Sequence, residues 1–416
     1  MKRHDIIIIG AGPAGMMAAI RAGQLKKQVL LIEKNNRLGQ KLLISGKGRC
    51  NITNIQELDG FISNFSHTGE FLRSAFAKFF NNELMKFLET KGLRLKTERG
   101  GRVFPKDDRS DSVLKVLKSY LDENRTMIVY NSPVTDIKVG KNGEFSVELK
   151  DKGVFKAAKL ILATGGLSYP LTGSTGDGFA FARGLGHRIV DLSPGLVPFE
   201  TKEHWVRDLQ GLSLKNVRIE FSSGKKSIVS AIGEMLFTHF GVSGPLILEL
   251  SSKVVDLLNE TKNPVKLSID MKPGLSQEQL DRRLIRDFES QGSKIYKNLL
   301  AELLPAKLID VFVKVSGIPP NKKANQLTQE DRRRILRLLK DFSLTITRPR
   351  PIEEAIVTRG GVSTKEIDPR TMQSRLVKGL YFCGEIIDVD AVSGGYNLQA
   401  AFSTGFLAGE SAGKDG

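Results

Sequence analysis

Residues 10–15 read Gly10-Ala11-Gly12-Pro13-Ala14-Gly15, straight after an apolar run at residues 5–9. That spacing suits a backbone that wraps a phosphate. Gly10 allows the tight strand-to-helix turn, Gly12 lets the backbone approach a pyrophosphate, and Gly15 lets the helix pack closely. The pyrophosphate then rests on unpaired N–H groups at the positive end of a helix. Glu33 closes the next apolar run, 28–32, near the spacing at which a carboxylate accepts from ribose hydroxyls. An acid there suits an adenosine ribose without a phosphate.

The other end of the chain selects the dinucleotide. A strand pattern at 379–382 runs into Gly384-Glu385, and Ser393-Gly394-Gly395-Tyr396-Asn397-Leu398 opens a small-residue-rich helix over 399–411. A second contact of this kind is the habit of FAD proteins, so FAD is the expected cofactor. Glu385 is expected to accept from the ribityl chain, with Tyr396 and Asn397 holding flavin. The start of the last helix would place N–H groups near the pyrimidine edge, favouring an anionic reduced ring. Further cofactor contacts are expected in the Gly/Lys/Arg-rich loop at Lys34, Gly39, Lys41, Ser45, Gly46, Gly48, Arg49, Cys50 and Asn51. Val134 at the head of a strand pattern and the turn Ala163-Thr164-Gly165-Gly166 complete the set.

These motifs need a scaffold that brings distant segments together. Strand patterns at 5–9, 28–32, 127–130, 134–139, 144–149 and 159–163, with a helix expected over 112–123 capped by Ser110-Asp111, describe an α/β, Rossmann-type FAD-binding domain. From about residue 193 the texture changes. Alternating patterns at 195–200, 214–221, 226–232 and 265–270 imply an inserted β-rich domain. Helical patterns at 276–291, 293–304, 307–315 and 328–341 imply a small basic helical domain. The expected division is 1–192 and 343–416 for the FAD domain, 193–272 for the β-rich insertion and 273–342 for the helical one.

Charge and cysteine content narrow the class. The 416 residues carry 63 Lys and Arg against 46 Asp and Glu, a net +17, which attracts polyanions. Residues 294–350 hold 13 basic and 5 acidic residues, and 91–109 hold 7 and 3. Solvated helix faces would give the same composition, so both readings stand. Two cysteines, Cys50 and Cys383, form no disulfide framework and suit a reducing cytoplasm. No apolar run approaches the ~18 residues that span a bilayer. Metal-spaced His/Cys clusters and a GxSxG nucleophile elbow are both missing from the sequence.

With these motifs together the chain resembles the bacterial flavoproteins known as NAD(FAD)-utilizing dehydrogenases or aminoacetone-oxidase-like proteins. The carrying segments are Lys41-Leu42-Leu43-Ile44-Ser45-Gly46-Lys47-Gly48-Arg49-Cys50-Asn51, Thr238-His239-Phe240-Gly241-Val242-Ser243-Gly244-Pro245, and Gly384-Glu385 through Gly394-Gly395-Tyr396-Asn397-Leu398-Gln399. The likeness spans essentially the whole chain. It implies one of three activities: amine oxidation, reduction of unsaturated steroid acids, or reduction of a uridine to dihydrouridine in large-subunit ribosomal RNA. The third fits the charge. A small-molecule oxidase or ene-reductase is the alternative, and an RNA-binding flavoprotein with vestigial redox activity is another.

Reduction of a uracil double bond needs a hydride on one carbon and a proton on the other. Cys50 is the expected proton donor, although neighbouring Lys47 and Arg49 would favour its thiolate, and a packing role beside the flavin is equally open. His239 is a second candidate, for orienting substrate or shuttling a proton, or else a satisfied turn histidine. A second complete nucleotide fingerprint is missing, so NAD(P)H is expected as a transient donor. The glycine-rich residues 172–178 read as a flavin-side loop.

Overall fold

The computed structural model describes residues 3–414. They form two compact units, one ending at Gly195 and resuming at Ile352, the other spanning Leu196–Pro351. In the first unit, Ile6, Ile7, Ile8 and Ile9 are buried on both faces of the sheet, as a central parallel strand requires. Five strands run parallel, in the spatial order Met127–Val129, Val29–Ile32, Arg3–Ile9, Gly153–Leu162 and Leu380–Phe382. Phe145–Leu149 and Val134–Val139 extend the sheet as an antiparallel meander on the first half of Gly153–Leu162. The register pairs Ile9 with both Ile32 and Leu162, and Leu162 with Phe382. Four strands therefore end level. The segments that follow them begin at Gly10, Glu33, Ala163 and Cys383 and leave the sheet side by side.

Above the sheet the first helix, Pro13–Gln24, packs against the last, Tyr396–Gly413. A β-carbon on Gly405 would stand 2.3 Å from the Ala14 carbonyl oxygen, and one on Gly409 2.3 Å from that of Ala18. Gly413 lies over Ala22. Numbers rise together along both helices, so the two run parallel with their N-termini at the same end. Arg21 closes the far end on Glu410 at 2.8 Å, and its guanidinium lies 4.8 Å over the Phe406 ring.

Within the second unit, Ser213–Ser223, Gly233–Phe237, Gly241–Ser243, Phe199–Thr201, Phe342–Pro349 and Val265–Asp270 pair in that order, all antiparallel. Val265–Asp270 then pairs back onto Ser213–Ser223, closing a six-stranded barrel with no open edge among these strands. Helix Pro245–Thr261 packs on it through Leu246, Ile247, Val254 and Val255.

Several expectations change. Strand Phe342–Pro349 belongs to the barrel, so the chain re-enters the nucleotide unit at Ile352 and not at 343. Barrel strands and basic helices share one core instead of forming separate domains at 193–272 and 273–342. The helix at Ser110–Glu123 has no side-chain cap, because Ser110 Oγ donates to the Leu43 carbonyl at 2.7 Å. Ser276 and Thr328 do form capping boxes on Gln277–Ser290 and Gln329–Lys340. Strands Gly233–Phe237 and Gly241–Ser243 and helix Pro245–Thr261 have no counterpart among the sequence patterns. No helix among the described residues is long and apolar enough to cross a membrane.

Glycine-to-alanine changes in exposed helix interiors ordinarily stabilise by ~1 kcal/mol. Gly409→Ala is expected to do the opposite, lowering stability by ~1–3 kcal/mol through overpacking on the Ala18 carbonyl. Denaturant midpoints measure this, and a midpoint at or above wild type would show that the helices can separate freely.

Candidate functional site

The glycine turn is drawn together by backbone contacts. A β-carbon on Gly10 would meet the Ala163 carbonyl oxygen at 2.5 Å, and one on Gly15 the Gly10 oxygen at 1.8 Å, so both positions exclude side chains. Around Gly12 a β-carbon would meet nothing within 4 Å. That open space lies where the uncapped N-terminus of Pro13–Gln24 points its N–H groups. Glu33 accepts from Ala11 N and Asn35 N, each at 2.9 Å. Burial raises its pKa, opposed by the N–H donors of Asn35 and Ala11. Gly39 N donates to the Ala11 carbonyl at 3.0 Å, tying the Gly/Lys/Arg loop to the turn. Ser132 N donates to the Glu33 carbonyl at 3.0 Å, which brings Val134 to the same edge. Beside Gly165, which is left-handed, Thr164 Oγ1 is buried without a hydrogen-bond partner among the described residues.

FAD fits this edge on three observations: the open space at Gly12, the orphaned Thr164 hydroxyl, and two helix N-termini that no side chain caps. Gly405 opposes Ala14, so Tyr396–Gly413 reaches eight residues past the start of the first helix, roughly 12 Å at ~1.5 Å per residue. One positive end thus faces the turn and a second lies further along. An extended ligand with a pyrophosphate and a polar ring system matches that offset.

The loop from Ser45 to Asn51 is strained. Gly46, Lys47, Gly48 and Cys50 all have left-handed φ, at 57°, 59°, 82° and 60°. Non-glycine residues in that region cost ~1–3 kcal/mol each, and such strain clusters at functional sites. Its two ends are held by Cys50 N to the Ser45 carbonyl at 3.0 Å and by the Asn51 amide. With its oxygen turned to Gly395, Asn51 accepts from that N–H at 3.0 Å and donates to Thr53 and Val103 carbonyls. Gly395 also abuts Thr53 so closely that a β-carbon would stand 2.4 Å from its backbone. Thus the loop and the last helix's N-terminus are one assembly.

Several expected flavin contacts meet protein groups, Lys41 and Glu385 meeting each other. Glu385 accepts from Lys41 Nζ at 2.6 Å, Ser168 Oγ at 3.0 Å and Thr358 N at 2.8 Å. Lys34 pairs with Asp177 at 2.6 Å. Arg49 pairs with Glu98 at 2.9 Å and lies 4.2 Å over the Phe104 ring. Tyr396 is buried edge-on against Phe61, its hydroxyl 2.8 Å from Gln56 Oε1. Asn397 clamps Ala391 through both amide atoms at 2.9 Å. Polar side chains at a helix start read alike in sequence whether they meet a ligand or a neighbouring loop. Gly384, by contrast, abuts Ala14, and Leu398 packs partly buried against the core of the unit. Sequence reasoning missed Ser168, Thr358 and the Gly405/Gly409 pair. Only the glycines had a signal, their four-residue spacing.

Cys50 does not sit as a proton donor requires. Cys50 is fully buried, and burial pushes its thiol up to about 12, with Ser45 opposing. Arg49 is spent on acids, so the thiol is neutral and not a thiolate. Because it reaches no surface, it is a packing group and not a direct proton donor. His239 lies exposed in the second unit, at the tip of the hairpin joining Gly233–Phe237 to Gly241–Ser243, edge-on to Phe240 at 5.0 Å. That is a turn position, one of the readings its sequence allows.

A model of the family described as HI0933-like protein Rossmann domain matches residues 4–411. The chain is 32% identical over 411 residues to the 3-dehydro-bile acid delta(4,6)-reductase of Clostridium scindens, covering 98% of this chain and 99% of that one. It is also 32% identical over 405 residues to the ribosomal RNA dihydrouridine synthase of Escherichia coli, covering 97% and 96%. Among solved structures, it resembles the 3-ketosteroid delta1-dehydrogenase of Sterolibacterium denitrificans in fold, with TM-score 0.52, 15% identity and coverage of 99% and 100%.

Gly12→Val is expected to fold as wild type, since its β-carbon enters open space at an ordinary φ, yet to lose FAD. Unchanged melting of the ligand-free protein with loss of flavin absorbance is the expected pair of results. Retained flavin would move the pyrophosphate elsewhere. Cys50 is expected to resist alkylation at pH 8 until the protein unfolds. Its raised value also predicts stability that falls as pH rises past the ordinary thiol range near ~8.5, where only the unfolded chain ionises.

Proposed function

The chain belongs to the HI0933-like Rossmann family and is an FAD-dependent oxidoreductase, and from that premise we propose that it reduces a uridine of large-subunit ribosomal RNA to dihydrouridine, with NAD(P)H as electron source. The two relatives' names share one chemistry. A uracil 5,6 bond and a 3-oxo-4-ene are both double bonds conjugated to a carbonyl. Each takes a hydride at the β-carbon and a proton at the α-carbon. FAD, when bound, supplies hydride transfer of this kind.

The chain's own groups set the conditions. The glycine turn and the first helix hold the pyrophosphate, while the last helix directs N–H groups at negative charge. Buried Cys50 and Cys383, both with raised pKa, leave no ionised thiol near the cofactor.

The observation that carries the RNA reading over the steroid acid is charge left over after pairing. On helix Gln329–Lys340, Arg332 is taken by Asp281 at 2.8 Å and Lys340 by Asp270 at 2.5 Å, so part of the basic tract is neutralised within the unit. Arg333, Arg334 and Arg337 remain exposed, and of these only Arg334 meets an acid among the described residues, Glu330 at 3.3 Å. In the first unit Arg94, Arg99, Lys106 and Arg109 are exposed around the hairpin of Leu95–Glu98 and Arg102–Pro105. A monoanionic steroid needs one cation, whereas RNA offers a phosphate at every nucleotide.

Mass spectrometry of ribosomal RNA from a strain lacking this protein is expected to show one dihydrouridine lost and restored on complementation; an unaltered RNA would hand the reading to small enones. Arg333, Arg334 and Arg337 replaced by Glu should keep flavin content and its reduction by NAD(P)H. Binding to ribosomal RNA should lose salt dependence by ~2–3 in the slope of log affinity against log salt. An unchanged slope would make the arginines a solvated face.

A further inference from the structure

Residues 387–392 cross the nucleotide unit between Glu385 and the Gly394-Gly395 turn, and they carry a cluster that the site above leaves unused. On one side this segment is zipped to residues 64–68. Val392 N donates to the Asn64 carbonyl at 3.0 Å, Ser66 N to the Asp390 carbonyl at 2.9 Å, and Thr68 Oγ1 to the Asp388 carbonyl at 2.8 Å. On the other side Asp388 N donates to the Val362 carbonyl at 3.0 Å. Between the two lie Asp388 and Asp390, each only 4% exposed. Asp390 is satisfied by Ser66 Oγ at 2.6 Å and faces Arg359 at 3.8 Å. Asp388 is not: Oδ1 is buried without a hydrogen-bond partner among the described residues, and Oδ2 lies 3.6 Å from Nε2 of His67. His67 has 61% of its side chain exposed, and its Nδ1 is 3.4 Å from Ser66 Oγ.

A carboxyl with one orphaned oxygen is expensive to bury, and such groups are kept where they do chemistry. An exposed imidazole with a buried carboxyl 3.6 Å behind it is suited to pass protons between solvent and a bound molecule. We propose that His67 is the proton donor of the reduction and that Asp388 is its positioning residue, with Asp390, Arg359 and Ser66 fixing the segment that carries them. This rests on the reading of the protein as a reductase of conjugated double bonds. The β-carbon gains a hydride by way of the flavin, with both electrons originating in a nicotinamide dinucleotide. Nε2 faces Asp388, so the α-carbon takes the proton from His67 Nδ1–H, and the ring recovers a proton from water at its exposed face. Atoms and charge balance without another reactant.

The groups facing Asp388 are His67, Arg359, Asp390 and the backbone N–H of Gly360. Burial raises the pKa of both aspartates, opposed at Asp388 by His67 and at Asp390 by Ser66. A raised carboxyl contributes stability below the ordinary aspartate value near ~3.9 and loses it as pH climbs through the folded value. Asp388→Asn should therefore melt higher than wild type at neutral pH, with the gap closing toward pH 4.

Two measurements test the proposal. The first needs no substrate: melting temperatures of the FAD-loaded wild type, His67→Ala, Asp388→Asn and the double variant between pH 4 and 8. The expected result is a double-variant shift that differs from the sum of the single shifts; strict additivity at every pH overturns the pair. The second separates the half-reactions. In His67→Ala, anaerobic flavin reduction by NAD(P)H should match wild type, while reoxidation by the substrate that wild type turns over should slow ~100- to 10,000-fold. Added imidazole should restore part of that rate, which a structural defect would not allow. Wild-type reoxidation in His67→Ala overturns the proposal. A wild type that reduces neither ribosomal RNA nor a steroid enone overturns the function instead, and the melting cycle still decides whether the pair exists.

Discussion

Close contact between the first and last helices is the constraint from which the site follows. Gly405 and Gly409 let Tyr396–Gly413 lie on the carbonyls of Ala14 and Ala18, closer than any side chain allows. Running parallel, the helices concentrate two positive ends on one side of the sheet. Side-by-side dipoles of that kind repel, and negative charge bound at these offset ends relieves the repulsion. Fold and ligand are thus coupled: the arrangement that packs the C-terminus onto the Rossmann core also makes a place where a pyrophosphate is stabilising.

Sheet register completes the placement. Since Ile9, Ile32, Leu162 and Phe382 end level, the turns after them form a continuous edge from segments separated by up to several hundred residues. Ligands bind at the carboxyl ends of such parallel strands because the crossover connections leave a crevice there. The left-handed run from Gly46 to Cys50 then joins this edge to the last helix through Asn51 and Gly395. Strain in that loop is offset by the bonds at its two ends.

The second unit solves a different problem. Six antiparallel strands closed on themselves expose no edge for unwanted pairing, and helix Pro245–Thr261 seals the barrel with aliphatic side chains. Outward-facing arginines on Gln329–Lys340 then cost little, since they are not needed for the core, where Ile335 and Leu339 are buried. That leaves surface charge available for recognition.

By itself the sequence determined the glycine turn, the acid after the second strand, the Rossmann class and the existence of a basic insertion, because each is a local matter of periodicity and backbone freedom. Gly10, Gly15 and Gly395 are legible at that level because a close approach of two backbones admits no side chain, and each of them makes such an approach. Tertiary structure decided the partners. Whether Glu385, Arg49, Tyr396 or Asn397 meets a ligand or a neighbour depends on what lies opposite, and Lys41, Glu98, Gln56 and Ala391 are far away in sequence or invisible to spacing. Barrel closure likewise hangs on the pairing of Ser213–Ser223 with Val265–Asp270, and Cys50 lost its expected role to burial, which no local pattern encodes. His67 and Asp388, 321 positions apart, come together only because residues 387–392 are zipped between two other segments of the unit.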